Sequence, residues 1–177
     1  MMSTIDKAGA GKIAIVTGGG SGIGAASACT LSDQGWTVII CGRRLDALHQ
    51  VATRTGAHPA AVDVTDPEAI RTMVDDTVER FGRLDGLVLN AGINRPGPVA
   101  DVPEHDWMAT LETNLTAPFR LLRHTLPHLV ESSGAVVGVS SLSALRASAG
   151  IPAYNASKAG FSMLIQSVAV DYGPKGL

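Results

Sequence analysis

Lys12-Ile13-Ala14-Ile15-Val16-Thr17-Gly18-Gly19-Gly20-Ser21-Gly22-Ile23-Gly24 decides the fold. Its first six residues form a short apolar run that reads as a buried strand. Gly18 to Gly24 reads as a tight turn, and Ala25 to Gln34 is small-residue, helix-friendly sequence. Strand, glycine-rich turn and helix, in that order, are the setting in which a glycine cluster becomes a phosphate site. Glycine permits positive φ and lets the backbone approach a ligand closely. The free N–H groups at the helix start attract an anion. Gly18, Ser21, Gly22, Ile23 and Gly24 are thus candidates for holding the pyrophosphate of a dinucleotide.

Outward from that turn the same unit repeats. Trp36–Cys41 is a second apolar run, leading into Gly42-Arg43-Arg44 and a helix over Leu45–Thr55. A NAD site of this type places an Asp or Glu after the second strand, on the ribose 2′-hydroxyl; arginine there suits a 2′-phosphate. Arg43 and Arg44 therefore favour NADP, with NAD as the second choice and plain solvation of the loop as the alternative reading. Ala60–Val64 reads as the third strand. Asp66 as N-cap, followed by Pro67, opens a helix that runs to about Phe81. Asp63 and Val64 lie at a strand end, where open α/β sheets collect ligands. Asp63 either accepts from an adenine amino group or serves as a turn residue. Leu84–Leu89 is the fourth strand, ending in Asn90-Ala91-Gly92, small residues that suit close backbone approach. A loop over Asn94–Pro103 holds three prolines. A long helical stretch then spans Asp106–Val130, with a kink expected near Pro118. Asn114 within it marks a kink, a surface position or a polar group with a task. Ala135–Ser140 is the fifth strand, with Ser141 at its carboxyl end.

Tyr154-Asn155-Ala156-Ser157-Lys158 leads into the last helix, Ala156–Val170. A four-residue spacing puts Tyr154 and Lys158 on one helical face, one turn apart. A phenol ordinarily loses its proton near pH ~10. A neighbouring ammonium favours the phenolate. The pair can therefore exchange a proton with an alcohol or carbonyl oxygen near neutrality.

The 177 residues suffice for one domain, 1–177, with a proper core. Hydrophobic residues make up 45% and charged residues 17%, which argues for a sheet buried on both faces and against disorder. The net charge of −2, with scattered Lys and Arg, gives no footprint for nucleic acid or a membrane surface. Met1–Lys12 has no apolar leader-like core, and no apolar run approaches the ~20 residues of a membrane span. The expectation is a cytoplasmic soluble protein. Cys29 and Cys41 read as reduced core thiols, and His124 with His128 lacks a third ligand, so no metal is expected. Strict alternation of five strands with helices implies parallel strands joined by right-handed crossovers.

Thr17-Gly18-x-x-x-Gly22-Ile23-Gly24, Asp63-Val64, Asn90-Ala91-Gly92, Asn114, Ser141 and Tyr154-x-x-x-Lys158 together resemble the short-chain dehydrogenase/reductases, in family order and with family-like spacing. The resemblance implies a Rossmann-like, doubly wound domain that moves hydride between NADP or NAD and a small alcohol or carbonyl substrate. Tyr154 would be the general acid/base. Lys158 would tune it and hold the nicotinamide ribose. Ser141, by its distance from the tyrosine, would bind the substrate oxygen in preference to Ser140. Asn114 would hold a water linking Lys158 to solvent. Gly18, Ile23 and neighbouring backbone would carry the pyrophosphate, and Asn90, Ala91 and Gly92 would border the adenine-side ribose. A homo-oligomer through the helices 106–130 and 156–171 is also implied, with Ala156, Ala159 and Gly160 allowing close approach.

The departure from the family lies after Asp171. Members continue with a sixth strand, a nicotinamide-contacting turn, a substrate-covering segment and a seventh strand; the sequence to Leu177 is expected to lack these, as a fragment of a longer enzyme, as a chain completed by another, or as a degenerate product. Strand five is then expected at an apolar sheet edge. A truncated, non-catalytic dinucleotide-binding or interaction module is the competing expectation.

Overall fold

A computed structural model describes residues 8–177; of Met1–Lys12, read above as lacking a leader-like core, residues 1–7 lie outside it. Five strands form one parallel sheet: β1 (Ile13–Thr17), β2 (Thr37–Gly42), β3 (His58–Ala61), β4 (Gly86–Leu89) and β5 (Ala135–Gly138), in the order β3-β2-β1-β4-β5. Six helices connect and follow them: α1 (Gly22–Asp33), α2 (Leu45–Thr55), α3 (Pro67–Phe81), α4 (Glu104–Leu111), α5 (Ala117–Glu131) and α6 (Pro152–Tyr172). This is the doubly wound, Rossmann-like arrangement. The chain reverses direction across the sheet between β1 and β4, and such a switch point opens a crevice at the carboxyl ends of the strands.

Alternation along the strands divides the core. Ile13, Ile15, Ile39, Cys41, Leu87 and Leu89 face one layer, with α3, α5 and α6. Val16, Val38, Ile40 and Val88 face the other, with α1 and α2. Side chains on a strand point to opposite faces in turn, so continuous apolar runs serve both layers. On β5 the second face is bare: Val137 is 55% exposed, and no helix covers it among the described residues. Burial raises the Cys41 thiol to about 12, so it stays protonated in the core.

Among the elements that differ from the sequence expectation, three bear on the site. The third strand runs His58–Ala61, not Ala60–Val64. Pro59 argues against a strand in the interior of a sheet, but β3 pairs only with β2, and an edge tolerates proline. Asp63 and Val64 lie beyond the strand, in the turn before α3. The long helix is interrupted by a π turn at Glu112–Thr116, where Ala117 N–H reaches back five residues to the Glu112 carbonyl. The break thus precedes Pro118, which occupies the first turn of α5 and has no N–H to offer the carbonyl four residues back. The last helix begins at Pro152, not Ala156, because proline is at home in a first helical turn. Tyr154 is therefore inside it.

Candidate active site

The glycine turn is shaped by contact, not only by flexibility. Gly18 and Gly22 adopt φ of +65° and +54°. At Gly18 a Cβ would meet Asn90 Nδ2 at 2.8 Å; at Gly22 it would project into open space. α1 begins at Gly22, three residues before the sequence reading placed it. Ser21 does not cap that helix with its side chain; its hydroxyl accepts from Arg44 Nη2 at 3.2 Å. Ile23, in the first turn, is 62% exposed.

Thr17 joins the two halves at the switch point. Its Oγ1 donates to the Val88 carbonyl at 3.3 Å and accepts from the N–H groups of Asn90 and Ala91 at 2.9 and 3.0 Å. Asn90 was expected, with Ala91 and Gly92, to border the adenine-side ribose. Its amide donates to the carbonyls of Thr17 and Gly18, so it holds the glycine turn from below. Ala91 and Gly92 remain at the surface of the crevice.

That crevice has a volume of about 520 Å³. Gly18, Gly20, Ser21, Arg43, Arg44, Asp63, Val64, Thr65, Ala91 and Gly92 are among the residues that line it. Asp63 Oδ1 accepts from Thr65 N–H and Thr65 Oγ1 at 3.0 and 2.8 Å. The Thr65 backbone bond holds this carboxyl below the usual aspartate range; the Thr65 hydroxyl and the nearby Arg43 charge add to it. Gly24 lies under the turn and does not line the crevice. A turn with no room for a side chain at Gly18, two arginines and the Asp63 carboxylate make a cradle that fits a dinucleotide.

The other residues gather beyond Gly92. Asn114 is buried in the π turn; its amide donates to the Ile93 carbonyl at 2.8 Å and to Ser157 Oγ at 3.0 Å, while its oxygen accepts from Ile93 N–H. Lys158 is only 5% exposed, and its Nζ donates to the Val139 carbonyl at 2.8 Å. The rings of Tyr154 and Phe161 lie 5.8 and 5.3 Å from that nitrogen. Burial lowers the Lys158 ammonium below the ordinary lysine value. A cavity of about 10 Å³ between Thr17, Asn114, Lys158 and Phe161 is close to the size of one water.

Ser141 follows β5 and caps a short 3₁₀ turn, Leu142–Ala144, by accepting from Ser143 N–H at 3.1 Å. Ser140 Oγ is hydrogen-bonded to Ser162 Oγ at 2.6 Å. The 3₁₀ turn rests on α6. Gly97 N–H donates to the Gly150 carbonyl at 2.8 Å, and Asn155 bonds the Ser148 backbone, so the two loops around this end are tied together and to α6.

Two residues that the structure ties into this region had no role in the sequence reading, Thr17 being quoted only as part of a motif. Thr17 is the one polar residue closing an otherwise apolar strand. Ser157 stands between Tyr154 and Lys158 but carries no motif of its own.

A family model described as short chain dehydrogenase matches residues 12–177. Among curated relatives, a short chain dehydrogenase/reductase of Colletotrichum higginsianum is 37% identical over 95% of this chain and 66% of its own length. A cis-4-hydroxycyclohexanecarboxylate dehydrogenase of Sinomonas cyclohexanicum is 37% identical over 94% and 69%. Among solved structures, a metagenomic short-chain oxidoreductase in complex with NADP is 32% identical, with a TM-score of 0.92 over 95% of this chain and 79% of that one. An NAD+-bound xylitol dehydrogenase gives 30% and 0.90 over 96% and 68%. The chain thus spans about two thirds of the length of the curated relatives it matches.

Proposed function

The chain belongs to the short-chain dehydrogenase family, and on that premise we propose an oxidoreductase that prefers NADP and acts on a small alcohol or carbonyl compound. The observation that carries the reading is Lys158: a buried lysine, one helical turn from Tyr154, beside Gly92 at the inner end of the crevice. A buried amine without a structural ion pair is costly, and sites of chemistry are where such costs are met.

The nicotinamide, when bound, supplies or takes up a hydride. The protein's own work is orientation and proton handling. Ser141 Oγ holds the substrate oxygen, its hydroxyl hydrogen free because Ser143 N–H occupies only a lone pair. Tyr154 gives a proton to that oxygen or takes one from it. Lys158 sets its charge beside the phenol and meets the nicotinamide ribose. The one-water cavity between Asn114 and Lys158 supports a relay to solvent. Arg43 and Arg44 read the 2′-phosphate, Gly18 to Gly24 carry the pyrophosphate, and Asp63 with Val64 takes the adenine end.

A cytoplasmic homo-oligomer belongs to the same reading. No helix among the described residues is long and apolar enough to cross a membrane. Phe119 on α5 and Met163 and Val170 on α6 are exposed apolar side chains suited to a subunit interface. A Cβ at Gly160 would meet Leu115 of the same chain at 3.1 Å.

The bare face of β5, with Val137 half exposed, favours a second reading, a dinucleotide-binding module without turnover. One experiment separates the two. The purified protein is titrated with NADPH and assayed against alcohols and ketones, with Tyr154→Phe as control. Turnover that falls by ~10²–10⁴ in the variant, with cofactor binding retained, is the expected result. Saturable NADPH binding without turnover would favour the second reading, and full turnover by Tyr154→Phe would refute the acid/base assignment.

A further inference from the structure

We propose that Ser157 is the positioning residue that sets Tyr154 and Lys158 against the crevice, by locking α6 to the π turn through Asn114. The inference rests on the reading of Tyr154 and Lys158 as the reacting pair.

Ser157 is fully buried, three residues after Tyr154 and one before Lys158. A serine hydroxyl has one proton to donate and two lone pairs. Here the proton goes to the Tyr154 carbonyl at 2.8 Å, and one lone pair receives Asn114 Nδ2 at 3.0 Å. The first bond stays within the helix and is common for serine. The second crosses to another element. Asn114 is itself held at both ends by the Ile93 backbone, so the tie runs from the β4–α4 loop through the π turn into α6.

Lys158 is consequently pinned twice. Its backbone is set by the neighbouring serine, and its ammonium by the Val139 carbonyl. A slide or rotation of α6 would break one bond or the other. The Gly160–Leu115 approach, three residues on, keeps the same two elements close over a full turn. A group that only filled space could not select the register of the helix. A hydroxyl that must meet both Asn114 and the Tyr154 carbonyl can.

The test uses Ser157→Ala and Ser157→Cys in the protein as it exists. Alanine leaves the site smaller and cysteine makes it slightly larger, and both lack a strong donor and acceptor, so an effect shared by the two reports the hydrogen bonds and not the packing. The first readout is the titration of the Lys158 amine by ¹⁵N NMR, which needs no turnover. The groups facing that amine are the Val139 carbonyl and the Tyr154 and Phe161 rings. In both variants it should titrate at higher pH than in the wild type, as the lysine gains water. The second readout is kinetic: kcat should fall by about tenfold or more, with cofactor KM within about twofold. A cysteine variant with wild-type Lys158 titration and kcat would overturn the proposal, as would an alanine variant that loses thermal stability alone. If the wild type binds NADPH without turnover, or Tyr154→Phe keeps it, the functional reading fails, and the Lys158 titration still decides the role of Ser157.

Discussion

Gly24 sits so close beneath Gly18 that an added Cβ would stand 2.3 Å from the Gly18 carbonyl oxygen and 2.6 Å from Asn90 Nδ2. α1 and the turn before it touch through bare backbone, and the Asn90 amide fills what space remains. Gly24→Ala therefore has no side-chain rotation to relieve it, and the loss should reach about 3 kcal/mol or more. Gly22→Ala is the comparison. It has φ +54° and nothing within 4 Å of an added Cβ, so it bears only the left-handed penalty of about 1 kcal/mol. Chemical unfolding of the two variants checks this, and equal losses would contradict the close-contact account.

Arg44 is already oriented toward the glycine turn by its bond to Ser21, and the Arg43 charge is felt by Asp63 at the crevice. If Arg44 meets a 2′-phosphate, Arg44→Ala removes a charge-assisted hydrogen bond worth ~1.5–3 kcal/mol. NADPH should bind about ten- to a hundredfold more weakly, and NADH, which has no such phosphate, about as before. Fluorescence titration with both cofactors reads the difference. A parallel loss for the two would mean that Arg44 shapes the turn without reading the phosphate.

What the sequence made legible follows from how local each signal is. The apolar runs of β1, β2 and β4 are read directly, because a strand buried on both faces needs no alternation. β3 begins two residues before the apolar run Ala60–Val64 and takes in Pro59, which an edge strand tolerates, and only the sheet order reveals that it is an edge. The π turn escaped for a similar reason: Pro118 announces a disturbance but not on which side the helix absorbs it. Asn90 shows the limit for side chains. Its position in a motif is visible, yet whether its amide faces a ligand or the Thr17 and Gly18 carbonyls depends on residues more than seventy positions away. Ser157 was hidden because its partner, Asn114, lies on another element.

Lys158 ties stability to pH in the alkaline range. Burial lowers its folded pKa, so the unfolded chain binds the proton more tightly. The cost of burying the ammonium is present in full below the folded value and disappears as pH rises toward the unfolded value of about 10.4. Stability should therefore increase with pH across that interval, apart from other titrating groups. Lys158→Met removes the contribution, and unfolding free energies of both forms at several alkaline pH values should show a smaller slope for the variant. Identical slopes would mean that the amine is as well solvated folded as unfolded.

Asp85 provides the matching case in acid. It is 3% exposed at the start of β4, and its carboxylate accepts from the Ile13 N–H at 2.9 Å and from the Arg83 guanidinium. Burial alone would raise this carboxyl. The Arg83 hydrogen bond, the Ile13 N–H and the charges of Arg83 and Lys12 outweigh it and hold the group below the usual range. Its contribution is thus present above the unfolded value of about 3.9 and is lost as pH falls through the lower folded value. Asp85→Ala leaves the Ile13 N–H without a partner at the entry to the central strand, at a cost of ~1–3 kcal/mol near neutral pH. Arg83→Ala should cost less, because that guanidinium is half in water and its pairing is screened. Denaturant unfolding from neutral pH into the acid range should show Asp85→Ala as the larger loss and the flatter curve. If Arg83→Ala cost as much as Asp85→Ala, the anchor at β1 would be the ion pair rather than the buried backbone bond.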